Sequence, residues 1–163
     1  MSSIDHIVII GAGLTGARAA ESLRKERFDG SITIVGDEPE LPYIRPPLSK
    51  DYLRGESERE KALVHPASFY DEQRIEVRQS STATRIDPAA RRVVLDDGSA
   101  LPFDRLLIAT GAAPRTLPVP GADLPGVHTF RTLADADELR AAAANAERIA
   151  VIGAGWIGSE VAA

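Results

Sequence analysis

The chain has 163 residues, of which 44% are hydrophobic and 26% charged, with a formal net charge of −5 and no cysteine; that length supports one domain with a sizeable core, or one domain and part of another. The acidic balance argues against a nucleic-acid or anionic-membrane surface, no apolar run reaches the roughly 20 residues that span a bilayer, and the run at Ile7 to Ile10 is too short for a signal peptide, so a cytoplasmic protein is expected. Absence of cysteine removes disulfides, thiolate metal sites and thiol nucleophiles together.

In chain order, residues 6–10 (HIVII) read as a buried parallel strand, and residues 14–26 as a helix with Leu14, Ala17, Ala20 and Leu23 on one side. Strands follow at residues 32–35 and 75–78. Three short β-rich runs then occupy residues 82–86, 91–95 and 100–103, the last two joined by Asp96-Asp97-Gly98, a hairpin signal. A further buried strand at residues 106–109 runs into Thr110-Gly111. The prolines at 114, 118, 120 and 125, with Gly121 and Gly126, mark a linker. Thr132 is placed to cap an Ala-rich helix over residues 134–146, and an apolar strand is expected at residues 149–152. A three-stranded antiparallel excursion inserted before a parallel strand predicts an α/β, Rossmann-like unit of modified type.

The two ends of the chain repeat one another. Gly11, Gly13 and Gly16 correspond to Gly153, Gly155 and Gly158, each set preceded by a short apolar run. Between a strand and a helix, such a trio serves a dinucleotide: the first glycine permits the tight turn, the second lets a pyrophosphate approach the backbone, and the third packs the helix on its strand. Amides at the helix N-terminus then meet the phosphate charge. Asp37, about 20 residues beyond the third glycine, is placed to accept hydrogen bonds from a ribose hydroxyl; its plainer reading is a solvated turn residue. His6, His65 and His128 lack ligand spacing, and no metal site is expected.

The segments GAGLTG, VGDE, YIRPPLSKDYL, LLIATGAAPR and VIGAGWIGSE together resemble the FAD-dependent pyridine nucleotide reductases, specifically the ferredoxin, putidaredoxin and rubredoxin reductase group that serves oxygenases. The resemblance covers essentially the whole chain. It implies an FAD-binding domain over residues 1–113, incomplete by itself, a linker and helix over 114–148, and the truncated start of an NAD-binding domain over 149–163, which makes the chain an N-terminal fragment. It also implies FAD as cofactor, NAD(H) as co-substrate with NADP open, and a ferredoxin- or rubredoxin-type electron carrier as partner. Hydride taken from NADH onto FAD would leave as single electrons, because YIRPPLSK stands where disulfide reductases carry redox-active cysteines. Oligomeric state is not legible.

Residue by residue, the resemblance places FAD contacts at Gly11, Gly13, Leu14, Thr15, Gly16, Asp37, Glu38, Arg45, Pro46, Lys50, Ala83, Ala109, Thr110, Gly111 and Arg131. Nicotinamide-side contacts fall at Gly153, Gly155, Trp156, Ile157 and Gly158. Lys50 is implied to sit beside the isoalloxazine, where a fixed ammonium favours the reduced flavin, and Glu160 to approach that lysine. The plainer readings are a solvated cation, a first-turn helix carboxylate, and, for Trp156, packing. Leu48 to Leu53 is expected to form a short helix after the rigid Pro46-Pro47 pair. Ile44 departs from the family, many of whose members carry an acid there. Related readings remain beside this one: a truncated inactive FAD-binding fragment, or a monodehydroascorbate reductase, a nitrite reductase flavin subunit or an apoptosis-inducing-factor-like flavoprotein.

Overall fold

A computed structural model describes residues 4–163. The chain divides into two compact units, the first made of residues up to Ile44 together with Leu63–Gly111, the second of Arg45–Ala62 and Ala112–Ala163.

In the first unit the elements run β1 (His6–Ile10), α1 (Leu14–Lys25), β2 (Ser31–Val35), α2 (Ala67–Glu72), β3 (Ile75–Arg78), β4 (Ala83–Asp87), β5 (Arg92–Leu95), β6 (Ala100–Pro102) and β7 (Arg105–Ile108). Four of these strands form a parallel sheet in the order β3-β2-β1-β7, while β4, β5 and β6 form an antiparallel sheet. The expected inserted meander is therefore present. Alternation along the strands explains the layering, since successive side chains leave a strand on opposite faces. Ile7, Ile9, Ile32, Ile34 and Ile75 point to one side, where they pack with Ala20 of α1 and Tyr70 of α2. Val8, Ile10 and Val35 point to the other and meet Val93, Leu95 and Leu101 of the meander. Both faces of β1 and β2 are thus covered, and strands so placed need the near-continuous apolar runs that the sequence supplies.

Two polar arrangements tie the sheet. The Asp104 carboxylate accepts from the backbone N–H of Asp5 at 2.8 Å and of His6 at 3.0 Å, latching the start of β7 to the start of β1. Those backbone bonds hold its carboxyl below the usual aspartate range. Thr33, only 2% exposed, donates to Glu76 Oε2 and bonds His6 Nε2, each at 2.9 Å, so its buried hydroxyl is satisfied. His6 thereby takes a structural role.

The second unit contains a 3-10 turn at Pro46–Ser49, another at Arg59–Ala62, then α3 (Leu133–Ala143) and α4 (Trp156–Ala162). A short helix was expected over residues 48–53; the helical turn lies earlier and is tighter. Proline at its first positions presets φ, and the i→i+3 bonds from Leu48 N to Arg45 O (3.0 Å) and Lys50 N to Pro47 O (3.1 Å) close it. Thr132 caps α3 as expected, in a full capping box with Asp135. Tyr52, 4% exposed, donates to Asp137 Oδ1 of α3 at 2.7 Å, and Arg59 bonds the other carboxylate oxygen. The expected strand at residues 149–152 does not form: those residues are extended but unpaired, and Ile152 is 79% exposed. A strand needs a neighbour, and among its described residues this unit has none. No helix among the described residues is long and apolar enough to cross a membrane.

Candidate functional site

The loop between β1 and α1 is built by three glycines with three different duties. Gly11 has φ +118°, and a Cβ there would lie 2.2 Å from Ala109 O. Its N–H donates to Val35 O at 2.8 Å, and Ala109 N donates to Ile10 O at 2.7 Å, which brings the end of β7 against the turn. A Cβ on Gly16 would lie 2.1 Å from Gly11 O, so the helix sits as close to the turn as backbone allows. Gly13 differs, since nothing lies within 4 Å of the position its Cβ would take. It is the N-cap of α1 and supplies no side chain to the amides of the first turn. Leu14, 44% exposed, and Thr15 open that turn to solvent. The arrangement is a short helix mouth with free space above it, suited to an anion.

Asp37 and Glu38 follow β2. Asp37 is exposed, whereas Glu38 accepts the Tyr43 hydroxyl through Oε2. Tyr43, 3% exposed, also bridges Gly13, so Glu38, Tyr43 and the glycine loop are joined. The loop after β2 is bound in turn by the segment entering β4: Ser80 N donates to Glu38 O at 3.0 Å and Ser81 N to Gly36 O at 2.8 Å. That leaves Ala83 half-buried at the start of β4. Gly36 was not singled out in the sequence, yet a Cβ on it would come within 2.3 Å of Ala12 Cβ. The signal was its place after an apolar strand facing a glycine loop. Ala109 is half-buried, while Thr110 and Gly111 are exposed at the end of β7.

The second unit gathers the other candidates. A cavity of about 260 Å³ is lined by Arg45, Pro46, Ser49, Lys50, Phe130, Arg131, Trp156, Ile157 and Glu160. Lys50 Nζ lies 2.6 Å from Glu160 Oε1, and Ser49 Oγ donates to Glu160 Oε2 at 2.5 Å. The bonds from Lys50 and then Ser49 hold the Glu160 carboxyl below the usual glutamate range. Lys50 Nζ also reaches Pro46 O at 3.4 Å. Arg45 Nη1 donates to Arg131 O at 2.9 Å, and the Asp135 carboxylate accepts the Arg131 N–H at 2.7 Å, so the Arg131 backbone is held from both sides. Trp156 is 89% exposed. Ser49 and Phe130 are cavity residues that the sequence reading passed over; the Ser-Lys pair after two prolines carried the signal for the first.

The second glycine trio repeats the first in detail. Gly153 has φ +110°, a Cβ on Gly158 would lie 2.0 Å from Gly153 O, and nothing stands within 4 Å of a Cβ on Gly155. Gly155 is likewise the N-cap of the helix that follows. Among the described residues no cluster of three or more His, Cys, Asp or Glu could hold a metal ion.

Comparison with known proteins places these observations. Residues 5–163 match the Pyridine nucleotide-disulphide oxidoreductase family. The chain is 52% identical over 157 residues to a rhodocoxin reductase of Rhodococcus erythropolis, covering 96% of this chain and 37% of that protein. Among solved structures, the ferredoxin reductase for the CYP199A2 system from Rhodopseudomonas palustris superposes with a TM-score of 0.93 at 40% identity, covering 97% of this chain and 39% of that one. The covalent putidaredoxin reductase–putidaredoxin complex gives 0.90 at 39% identity, over 99% of this chain and 39% of that one. The chain spans about two fifths of the length of the relatives it matches. With a Rossmann-like sheet, an inserted meander and two glycine loops of one geometry, the chain belongs to the pyridine nucleotide-disulphide oxidoreductase family, and its similarity lies with the ferredoxin-reductase members.

Proposed function

We propose that this chain carries the FAD-binding part of an NAD(P)H-dependent ferredoxin or rubredoxin reductase, of the kind that supplies electrons to an oxygenase. The observation that carries the reading is the first glycine loop, where Gly13 leaves open space in front of an uncapped twelve-residue helix. A pyrophosphate would lie there, held by the amides around Leu14, Thr15 and Gly16. Asp37, exposed just after β2, would accept the adenosine ribose hydroxyls, with Glu38 held back by Tyr43. Ala83 and residues 109–111 would border the cofactor with small side chains and backbone. FAD, when bound, supplies the hydride acceptor and the single-electron donor in one group.

The protein's own part is position and charge. Lys50 would hold a cation beside the flavin ring, with Glu160 keeping that cation in place; Arg45, Pro46 and Arg131 would shape the wall around it. Residues Gly153 to Gly158, which repeat the geometry of the first loop, would approach a nicotinamide nucleotide, and Trp156 with Ile157 would flank it. The partner would be a small iron–sulfur or iron carrier, since residues 43–50 (YIRPPLSK) place no thiol there to receive the electrons. The relatives' names support this, one being a reductase of rhodocoxin and another solved in complex with putidaredoxin.

Cofactor released from a protein of the relatives' full length and identified by chromatography tests the assignment: FAD is expected, and FMN or no flavin there would overturn it. Asp37→Ala should weaken FAD retention by about 1–3 kcal/mol, the cost of leaving ribose hydroxyls unpaired. Equal retention in the variant would return Asp37 to a solvated turn residue.

A further inference from the structure

Glu160 is held by two consecutive residues of one turn. Lys50 Nζ takes Oε1 at 2.6 Å, and Ser49 Oγ takes Oε2 at 2.5 Å, so each carboxylate oxygen has its own donor. The two donors are not equivalent. Lys50 is a flexible four-carbon cation with its side chain 47% exposed, free to choose among rotamers. Ser49 is 6% exposed and closes the Pro46–Ser49 turn, whose two prolines restrict the backbone. A hydroxyl on a rigid, buried residue sets direction; an ammonium on a long stem follows. The carboxylate also comes from a helix that buries no residue of its own, so Glu160 has little else to orient it.

We propose that Ser49 is the positioning residue of this cavity: its hydroxyl fixes the Glu160 carboxylate, which then presents its other oxygen to Lys50 and sets where the lysine charge stands. The inference deepens the flavin reading given above and, for its functional meaning, rests on it. Its geometric content is independent of any bound group. Without the Ser49 hydroxyl, the carboxylate keeps one partner and can turn about its side-chain torsions, so Lys50 is no longer held at one point.

Trp156 makes the test direct, because it is the only tryptophan of the chain and lies one helical turn before Glu160 on the same cavity. Its emission is followed against pH in dilute protein, and the transition belonging to Glu160 is the one that Glu160→Gln abolishes. Ser49→Cys fills the same space with a weak donor, and Ser49→Thr keeps the hydroxyl. The midpoint is expected to shift upward in Ser49→Cys and to remain near the parent value in Ser49→Thr. The proposal is overturned by an unchanged midpoint in Ser49→Cys, and equally by a Ser49→Thr midpoint raised as far as that of Ser49→Cys. Circular dichroism confirms that each variant is folded; if Ser49→Cys is not, Ser49→Ala supplies the same comparison. A separate measurement keeps the flavin reading distinct: Lys50→Met should lower the flavin midpoint potential of the FAD-loaded protein. No change there sinks the flavin role of Lys50 while leaving the Ser49 result to stand.

Discussion

Gly11 and Gly13 are two positions apart in one loop, yet substitution should separate them cleanly. An alanine at 11 meets Ala109 O at 2.2 Å and must hold φ near +118°, so both contact and backbone resist it. Gly11→Ala should cost about 3 kcal/mol or more in denaturant unfolding, from left-handed strain and overpacking together. An alanine at 13 meets nothing in the protein. Gly13→Ala should cost no more than about 1 kcal/mol, the loss of a tolerable helix cap, while a methyl group in the proposed phosphate space should reduce FAD retention at least tenfold. Similar stability losses at the two positions would refute this division of labour. Glu21 offers a second residue-scale test. Hydrogen bonds from Lys25, then Arg18, with His65 adding to them, pull its carboxyl down to about 2 from an ordinary 4.5. A carboxyl lowered in the folded state stabilises it fully above the ordinary value and loses that contribution as pH falls through the folded one. The stability difference between the parent and Glu21→Gln should therefore be constant above pH 4.5 and vanish toward pH 2; a difference persisting at the acid end would contradict it.

At the scale of elements, Tyr52 and Arg59 fasten the loop of residues 45–62 to α3. Tyr52 buries its ring and donates to Asp137, whose other oxygen takes Arg59, and Arg140 lies over the Tyr52 ring at 5.7 Å. Burial first, and the carboxylate beside it second, push the Tyr52 hydroxyl above its usual range. Tyr52→Phe should cost about 1 kcal/mol, one net hydrogen bond, and protease cleavage within residues 45–62 should become faster. Cleavage at the parent rate would mean that the bond does not hold the loop. The sequence showed most of the first unit because burial on both faces leaves an unmistakable pattern: β1 and β2 are apolar runs, and the Asp-Gly turn between β5 and β6 is local chemistry. Thr132 was legible for the same local reason, with Asp135 three residues on. What the sequence concealed depends on contact between distant segments. Residues 149–152 have a strand's composition and no neighbour to pair with among the described residues, and the turn at Pro46–Ser49 closes on i→i+3 bonds, from Leu48 N to Arg45 O and from Lys50 N to Pro47 O, in place of a longer helix. The candidate site divides likewise. Glycine spacing announced the loop, but Gly36 and Ser49 owe their roles to Ala12 and Glu160, which no local pattern reveals.

For the molecule as a whole, the parallel sheet has two edges of unlike character. The β3 edge carries Glu76 and Arg78, charges that discourage further pairing. The β7 edge has no neighbour among the described residues and exposes Leu107 at 36% and Ile108 at 61%. Val119, Leu124, Ile149, Ile152 and Trp156 add exposed apolar surface in the second unit. An unpaired apolar edge is a template for another strand, and large exposed apolar surface invites association. Residues 1–163 by themselves should accordingly be monomeric when dilute and self-associate as concentration rises, and Leu107→Lys on that edge should reduce the association in sedimentation or light scattering. The same chain spans only about two fifths of its relatives, and its second glycine loop opens a helix that buries no residue of its own. It should bind FAD weakly, purify nearly colourless, and show no NADH oxidation with dyes or a ferredoxin as acceptor. Flavin-to-protein ratio after reconstitution with excess FAD, followed by NADH consumption, decides the matter: a monodisperse yellow monomer that turns over NADH would show that these residues already complete both sites.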